Sequence, residues 1–320
     1  MKPPWEGYLG SNPELYARKV LNVCGLRRPP ICERTIVDYL RLEVVEITTA
    51  DIRNFLTVTG DGNAAEMFRT LDTTSAWLVR SPGKKPRICV RQETRPGRKR
   101  MGILHECGHF LLPLHRALNY FCTEADLHPA VRKRVEQEAF LCAAEFLMPR
   151  QMFVEDALSL EIGLSAVEQL RYRYEASMEA TAIRYANTPP GPCAIVMVAQ
   201  AKNGTVATPR DRVPSEQLLL PMELPPKSQH SDDGARYPLA VKYFVRSPGF
   251  PKFIRAGTGI EEGNRVYDAW ARGTRVKDEI PASVFGSSGN WVYHAECLPL
   301  GRSGKVMVLL WLPDHQPRLL

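Results

Sequence analysis

The chain has 320 residues, 44% hydrophobic and 24% charged, with a formal net charge of +7. This is ordinary globular composition, long enough for two domains with separate cores, and no apolar run approaches the ~20 residues that a membrane-spanning helix needs. Eight cysteines are scattered without a CxxC pair, which argues against a structural zinc knuckle or a disulfide framework, and MKPPWEGYLG lacks the apolar stretch of a secretory signal, so a cytoplasmic location is expected.

In chain order, the first expected elements are helices near residues 13–23 and 32–42. A strand follows at Leu42–Ile47, then a short helical stretch around Ala50–Leu56. Two strands, Ser75–Val79 and Arg87–Arg91, flank the basic, Pro- and Gly-rich SPGKKPR. A second basic run, RPGRKR, reads as another turn. Such charge can steer a chain toward nucleic acid or an acidic substrate, but a solvated loop is the simpler reading, and no nucleic-acid-binding motif accompanies it.

The next element, a helix at about 99–112, carries His105-Glu106-Cys107-Gly108-His109. Residues four apart share a helix face, so His105 and His109 can reach one metal ion, while Glu106 lies beside it as a base. The flanks are apolar, with Met101-Gly-Ile-Leu before and Phe110-Leu-Leu after. Buried histidines and a buried carboxylate need partners, and a zinc ion would partner all three.

A catalytic zinc needs a third protein ligand and an open position. Two residues compete. His115 lies ten residues after His105, but the position where three-histidine enzymes turn on glycine is Leu112 here, followed by Pro113. The bland reading of His115 is a partly exposed loop residue. The other candidate is Glu136, on a helix over 129–148 that begins with proline. At 100° per residue Glu136 sits at the centre of a stripe with Phe140, Ala143 and Leu147. Glu138 and Glu145 point nearly opposite. If that stripe packs on the HExxH helix, Glu136 is the third ligand.

Together HECGHFLL and EQEAFLCAAEFLMP resemble the ImmA/IrrE family of zinc metallo-endopeptidases, with matches at Glu136, Glu138, Ala139, Ala143, Ala144, Leu147, Met148 and Pro149. Phe140 and Cys142 depart from the family pattern, which usually has Asn and Phe there. Ser177-Met-Glu-Ala-Thr-Ala-Ile-Arg184 extends the likeness, and Cys193-Ala-Ile-Val and Val245–Ile254 look like the extension of longer members. The resemblance implies zinc held by His105, His109 and Glu136, and a protein substrate, a DNA-binding repressor cleaved under stress or during mobile-element induction. Direct nucleic-acid binding and membrane association are not expected. Other readings are a catalytically silent zinc-containing regulator, a nucleic-acid-binding stress-response factor and a toxin–antitoxin partner.

After helices near 150–160 and 164–187, Thr188-Pro-Pro-Gly-Pro192 marks a boundary. Beyond it strands are expected at Cys193–Gln200, Leu239–Arg246, Val266–Arg272, Trp291–Leu298 and Lys305–Leu312, with a long loop over 206–236. The expected architecture is α+β. A zincin-like metallopeptidase domain over 1–188, with a small β-sheet and helical bundle, precedes an α/β regulatory domain of the GAF or PAS kind over 189–320. Arg87–Arg91 is the strand expected at the sheet edge, where such peptidases commonly hold substrate as an added strand. Tyr172, Tyr174, Arg184 and Tyr185 are candidates to stabilise an oxyanion.

Overall fold

The structure, a computed structural model, describes residues 12–48, 50–51, 75–80, 83–115, 129–188, 191–201, 237–251, 253–286 and 291–312. The expected loop 206–236, most of the stretch 50–56 and most of the loop 113–128 lie outside these residues. Two compact units emerge. One holds the described residues through Met152 together with Arg171–Ala180, and the other holds Phe153–Leu170 and those from Thr181 onward. Among the described residues no helix is long and apolar enough to cross a membrane.

The first unit begins with α1 (Pro13–Val23), whose first turn is capped by the Asn12 side chain on the Leu15 amide, with Pro13 opening the helix. Its buried face is Tyr16, Ala17, Val20 and Leu21. After α2 (Glu33–Tyr39), a three-stranded sheet forms in the order β1 (Glu43–Ile47), β3 (Arg87–Arg91), β2 (Ala76–Val79). β1 runs parallel to β3 and β2 antiparallel to it. The strand expected at the edge, Arg87–Arg91, is therefore central. Its Ile88 and Val90 are fully buried, which is why it is sandwiched.

Helix α3 (Pro96–Leu111) starts on a proline within the RPGRKR run, so these basic residues belong to a helix rather than a turn. It stops at Leu112, whose extended backbone (ψ 125°) is what a residue preceding proline adopts. Helix α4 (Pro129–Leu147) packs against both α1 and α3. Gly108 sets the second approach. A Cβ there would lie 3.0 Å from the Ala139 carbonyl oxygen and 3.3 Å from the Ala139 Cα. Glu145 fixes the other end of α4. Buried completely, it pairs with Arg18 at 3.4 Å and accepts from the Arg150 amide, at the start of α5 (Arg150–Leu158).

One helix was expected over 164–187; two form, α6 (Leu164–Tyr174) and α7 (Met178–Asn187). The break is at Glu175, in a left-handed conformation (φ 48°). Arg100, nearly buried on α3, donates to the carbonyls of Tyr174 and Glu175 there, and also pairs with Glu33 at 3.0 Å. It thus satisfies carbonyls that a helix end leaves open. Ser177 caps α7 through the Ala180 amide.

The second unit contains an antiparallel sheet in the order β6 (Gly259–Ile260), β5 (Leu239–Arg246), β4 (Cys193–Gln200), β9 (Lys305–Trp311), β8 (Val292–Pro299), β7 (Val276–Pro281). Every pairing is antiparallel. The expected strand Val266–Arg272 is instead a helix, α8 (Arg265–Arg272). The Asn264 side chain caps two of its amides, Gly273 ends it in the left-handed conformation, and Val266 and Ala269, three apart, are its buried residues. Buried Glu296 on β8 accepts from the Leu164 amide at 2.8 Å and pairs with Arg275 and Lys277 at 2.8 and 3.2 Å.

Two outcomes follow. Gly108→Ala gains up to about 1 kcal/mol in helix propensity, but its methyl meets backbone that cannot rotate away, an overpacking cost of about 1–3 kcal/mol. A net loss of stability is expected, measured as a lower urea midpoint. Burial acts to raise the Glu296 pKa, yet Arg275, the Leu164 amide and Lys277 hold it below the usual range. Its stabilising contribution is present above the unfolded-state value of about 4.3 and is lost as pH falls through the lower folded value. Hydrogen exchange of β8 amides should speed up over that acid range, and Glu296→Gln should flatten the response.

Candidate metal centre

His105 and His109 lie one turn apart on α3, and Glu136 reaches them from α4. The Nε2 atoms of the two histidines are 3.0 Å apart. Glu136 Oε2 is 3.2 Å from His105 Nε2, and Oε1 is 3.4 Å from His109 Nε2. Among the described residues these three form the cluster of donor atoms able to hold a metal ion. Zinc bonds of about 2.0–2.2 Å at tetrahedral angles separate ligand atoms by roughly 3.3–3.6 Å; the two edges to Glu136 are close to that spacing and the edge between the histidines is shorter. Two imidazoles and one carboxylate suit zinc, so the residues fit the ion.

The site is open on one side. The side chains of His105 and His109 are 12% and 13% exposed and that of Glu136 is 32% exposed, which leaves approach for a water or a substrate. Burial acts to raise the Glu136 pKa, but hydrogen bonds with His105 and His109 outweigh it and hold the carboxyl well below its usual range. Glu106 is buried beside His105 on α3. Cys107 and Cys142 are fully buried, and burial pushes both thiols far up, so neither offers a thiolate.

His115 is not a partly exposed loop residue; it is 1% exposed. Residues 113–115 are again helical, and His115 lies behind His109. His115 Nδ1 lies 3.2 Å from His109 Nδ1, on the side of that ring away from the triangle. Its Nε2 is 3.2 Å from Glu138 Oε2, so Glu138 faces this segment rather than pointing away from the site's surroundings. Burial first, then the neighbouring His109, lowers the His115 pKa to about 3.

Sequence reasoning missed other parts of the surroundings. Phe140 packs its ring 4.3 Å from that of His105, centroid to centroid. Arg80, at the end of β2, donates to the His109 carbonyl at 3.2 Å and lies over the Phe110 ring. Both contacts are between elements distant in sequence and carry no local signal. Of the oxyanion candidates, Tyr172 is 70% exposed, Tyr174 is fully buried, and Arg184 and Tyr185 belong to the second unit. The basic run is largely engaged, with Arg100 buried, Lys99 paired to Glu46 and Arg87 to Glu43, each of the last two at 2.7 Å.

Comparison with known proteins places this geometry. Residues 64–185 match the family model of the IrrE N-terminal-like domain. Over 202 residues the chain is 27% identical to the radiation response metalloprotease IrrE of Deinococcus radiodurans, covering 61% of this chain and 58% of that protein. The chain thus spans less than two thirds of the length of this curated relative. A solved structure, a Mycobacterium tuberculosis transcriptional regulator, aligns over 94% of this chain and 75% of that one, at 14% identity and a TM-score of 0.49. The matched segment carries α3 and α4, and over it the chain is similar to the IrrE N-terminal-like domain family.

Proposed function

We propose that this protein is a zinc-dependent endopeptidase in which His105, His109 and Glu136 hold the metal and Glu106 is the general base. The observation that carries this reading is the triangle of donor atoms with edges of 3.0–3.4 Å beside a buried Glu106. Zinc bound there would acidify a water to a pKa of roughly 7 and polarise the scissile carbonyl. Glu106 takes the proton of the attacking water and returns it to the leaving amine. His105 and His109 would hold the ion through their Nε2 atoms, and Glu136 would supply negative charge.

The substrate in this reading is a protein, specifically a DNA-binding transcriptional repressor cleaved in a stress or mobile-element response in the cytoplasm. The similarity to a radiation response metalloprotease of Deinococcus radiodurans supports the stress-response part of that reading. An extended segment of the substrate would add to β2. That strand is an outer one among the described residues and runs alongside α3, with Ala76 against Gly102 and Arg80 against His109. Functionally, residues 1–188 would be the peptidase and 189–320 a regulatory domain. The strand order β5-β4-β9-β8-β7, with α8 joining β6 to β7, supports a GAF- or PAS-like reading of the latter.

Two substitutions separate chemistry from binding. Glu106→Gln should lower peptide-bond cleavage by about 10²–10⁴-fold, the range for a lost general base, while zinc content stays at the wild-type level. Retained cleavage removes Glu106 from the mechanism, and lost zinc makes it a ligand. Glu136→Ala should weaken zinc by more than about 100-fold, beyond what a merely supporting residue costs. An unchanged affinity moves the third ligand elsewhere. A wild-type protein that binds zinc but cuts no candidate repressor under any inducing condition would favour a silent regulator.

A further inference from the structure

We infer that Glu138 and His115 are positioning residues that hold His109 in the ring tautomer able to bind a metal through Nε2. The inference rests on the zinc reading above. A histidine that binds through Nε2 must keep a lone pair there, so its ring proton sits on Nδ1. In many metal sites a carboxylate or a backbone carbonyl accepts that proton directly. Here the atom that faces His109 Nδ1 is another ring nitrogen, Nδ1 of His115, at 3.2 Å.

Two ring nitrogens at that distance share one proton. If His109 donates it, His115 Nδ1 is the acceptor, and the neutral His115 ring carries its own proton on Nε2. That Nε2 points at Glu138 Oε2, 3.2 Å away, which accepts. The other carboxylate oxygen accepts from Arg134 Nε at 2.8 Å. Every link then has one donor and one acceptor. The reverse order fails for neutral rings. With the His109 proton on Nε2, His115 would donate from Nδ1, and its bare Nε2 lone pair would face the Glu138 carboxylate. Burial makes that repulsion costly.

His105, the other histidine of the motif, is packed by the Phe140 ring instead.

The test reads tautomers by long-range ¹H–¹⁵N correlation of the imidazoles in the metal-free full chain, and zinc affinity by competition with a chelator. The expected result is His109 protonated on Nδ1 in the wild type. His115→Leu should move that proton to Nε2 and weaken zinc by about 10–100-fold, the range for residues that orient a ligand. His115→Gln, whose amide can accept from His109 and donate to Glu138, should keep the tautomer and most of the affinity. A purely steric role for His115 predicts no difference in tautomer between the two variants. Wild-type His109 protonated on Nε2, or wild-type affinity in a folded His115→Leu, overturns the inference while leaving the zinc reading intact. If His115→Leu does not fold, the wild-type tautomer and the His115→Gln affinity decide. A wild type that takes up no zinc overturns both.

Discussion

The candidate site depends on how closely α3 and α4 can approach. His105 and His109 are fixed relative to one another by one helical turn, but Glu136 reaches them across an interface. That interface closes to backbone contact only because residue 108 has no side chain. The Ala139 carbonyl would stand 3.0 Å from a Cβ at this position. Cys142, Ala139 and Ala143, small and completely buried, continue the tight seam. Larger residues there would push the helices apart, and a shift of about 1 Å suffices to spoil a constellation of this kind.

Around that seam, polar groups are satisfied by residues far away in sequence. Arg100 closes the gap left where α6 ends, Glu145 ties α4 to α1 and α5, and Arg80 answers the His109 carbonyl. The same economy explains the basic run before the motif. Arg100, Arg87 and Lys99 of that run pair with Glu33, Glu43 and Glu46, which ties it to the frame of the site. At the metal triangle the Glu136 side chain remains partly exposed.

Much of this frame was legible in the sequence, for identifiable reasons. The i, i+4 spacing of His105 and His109 is a property of any α-helix, and the Phe140–Ala143–Leu147 stripe put Glu136 on the face of α4 that meets these histidines. The same wheel failed for Glu138 and His115. A helical projection does not contain the next helical segment, whose His115 lies behind His109. The strand expected at 266–272 shows a second kind of limit. Val-Tyr-Asp-Ala-Trp-Ala alternates plausibly as a strand, but the caps at Asn264 and Gly273 were the stronger signals. Which strand lies at the edge of the first sheet is a matter of long-range pairing, and no local pattern in Arg87–Arg91 could have revealed that it is central.

The central claim is that two imidazoles and one carboxylate, and no thiol, surround the metal. X-ray absorption at the zinc edge of the purified, zinc-loaded full chain tests it most directly. The account predicts nitrogen and oxygen neighbours at about 2.0–2.2 Å, with imidazole scattering from two rings. It also predicts that Glu136→Ala removes one near oxygen or abolishes binding. A sulfur neighbour at about 2.3 Å, which would place Cys107 or Cys142 on the metal, or scattering from three imidazoles, would contradict it.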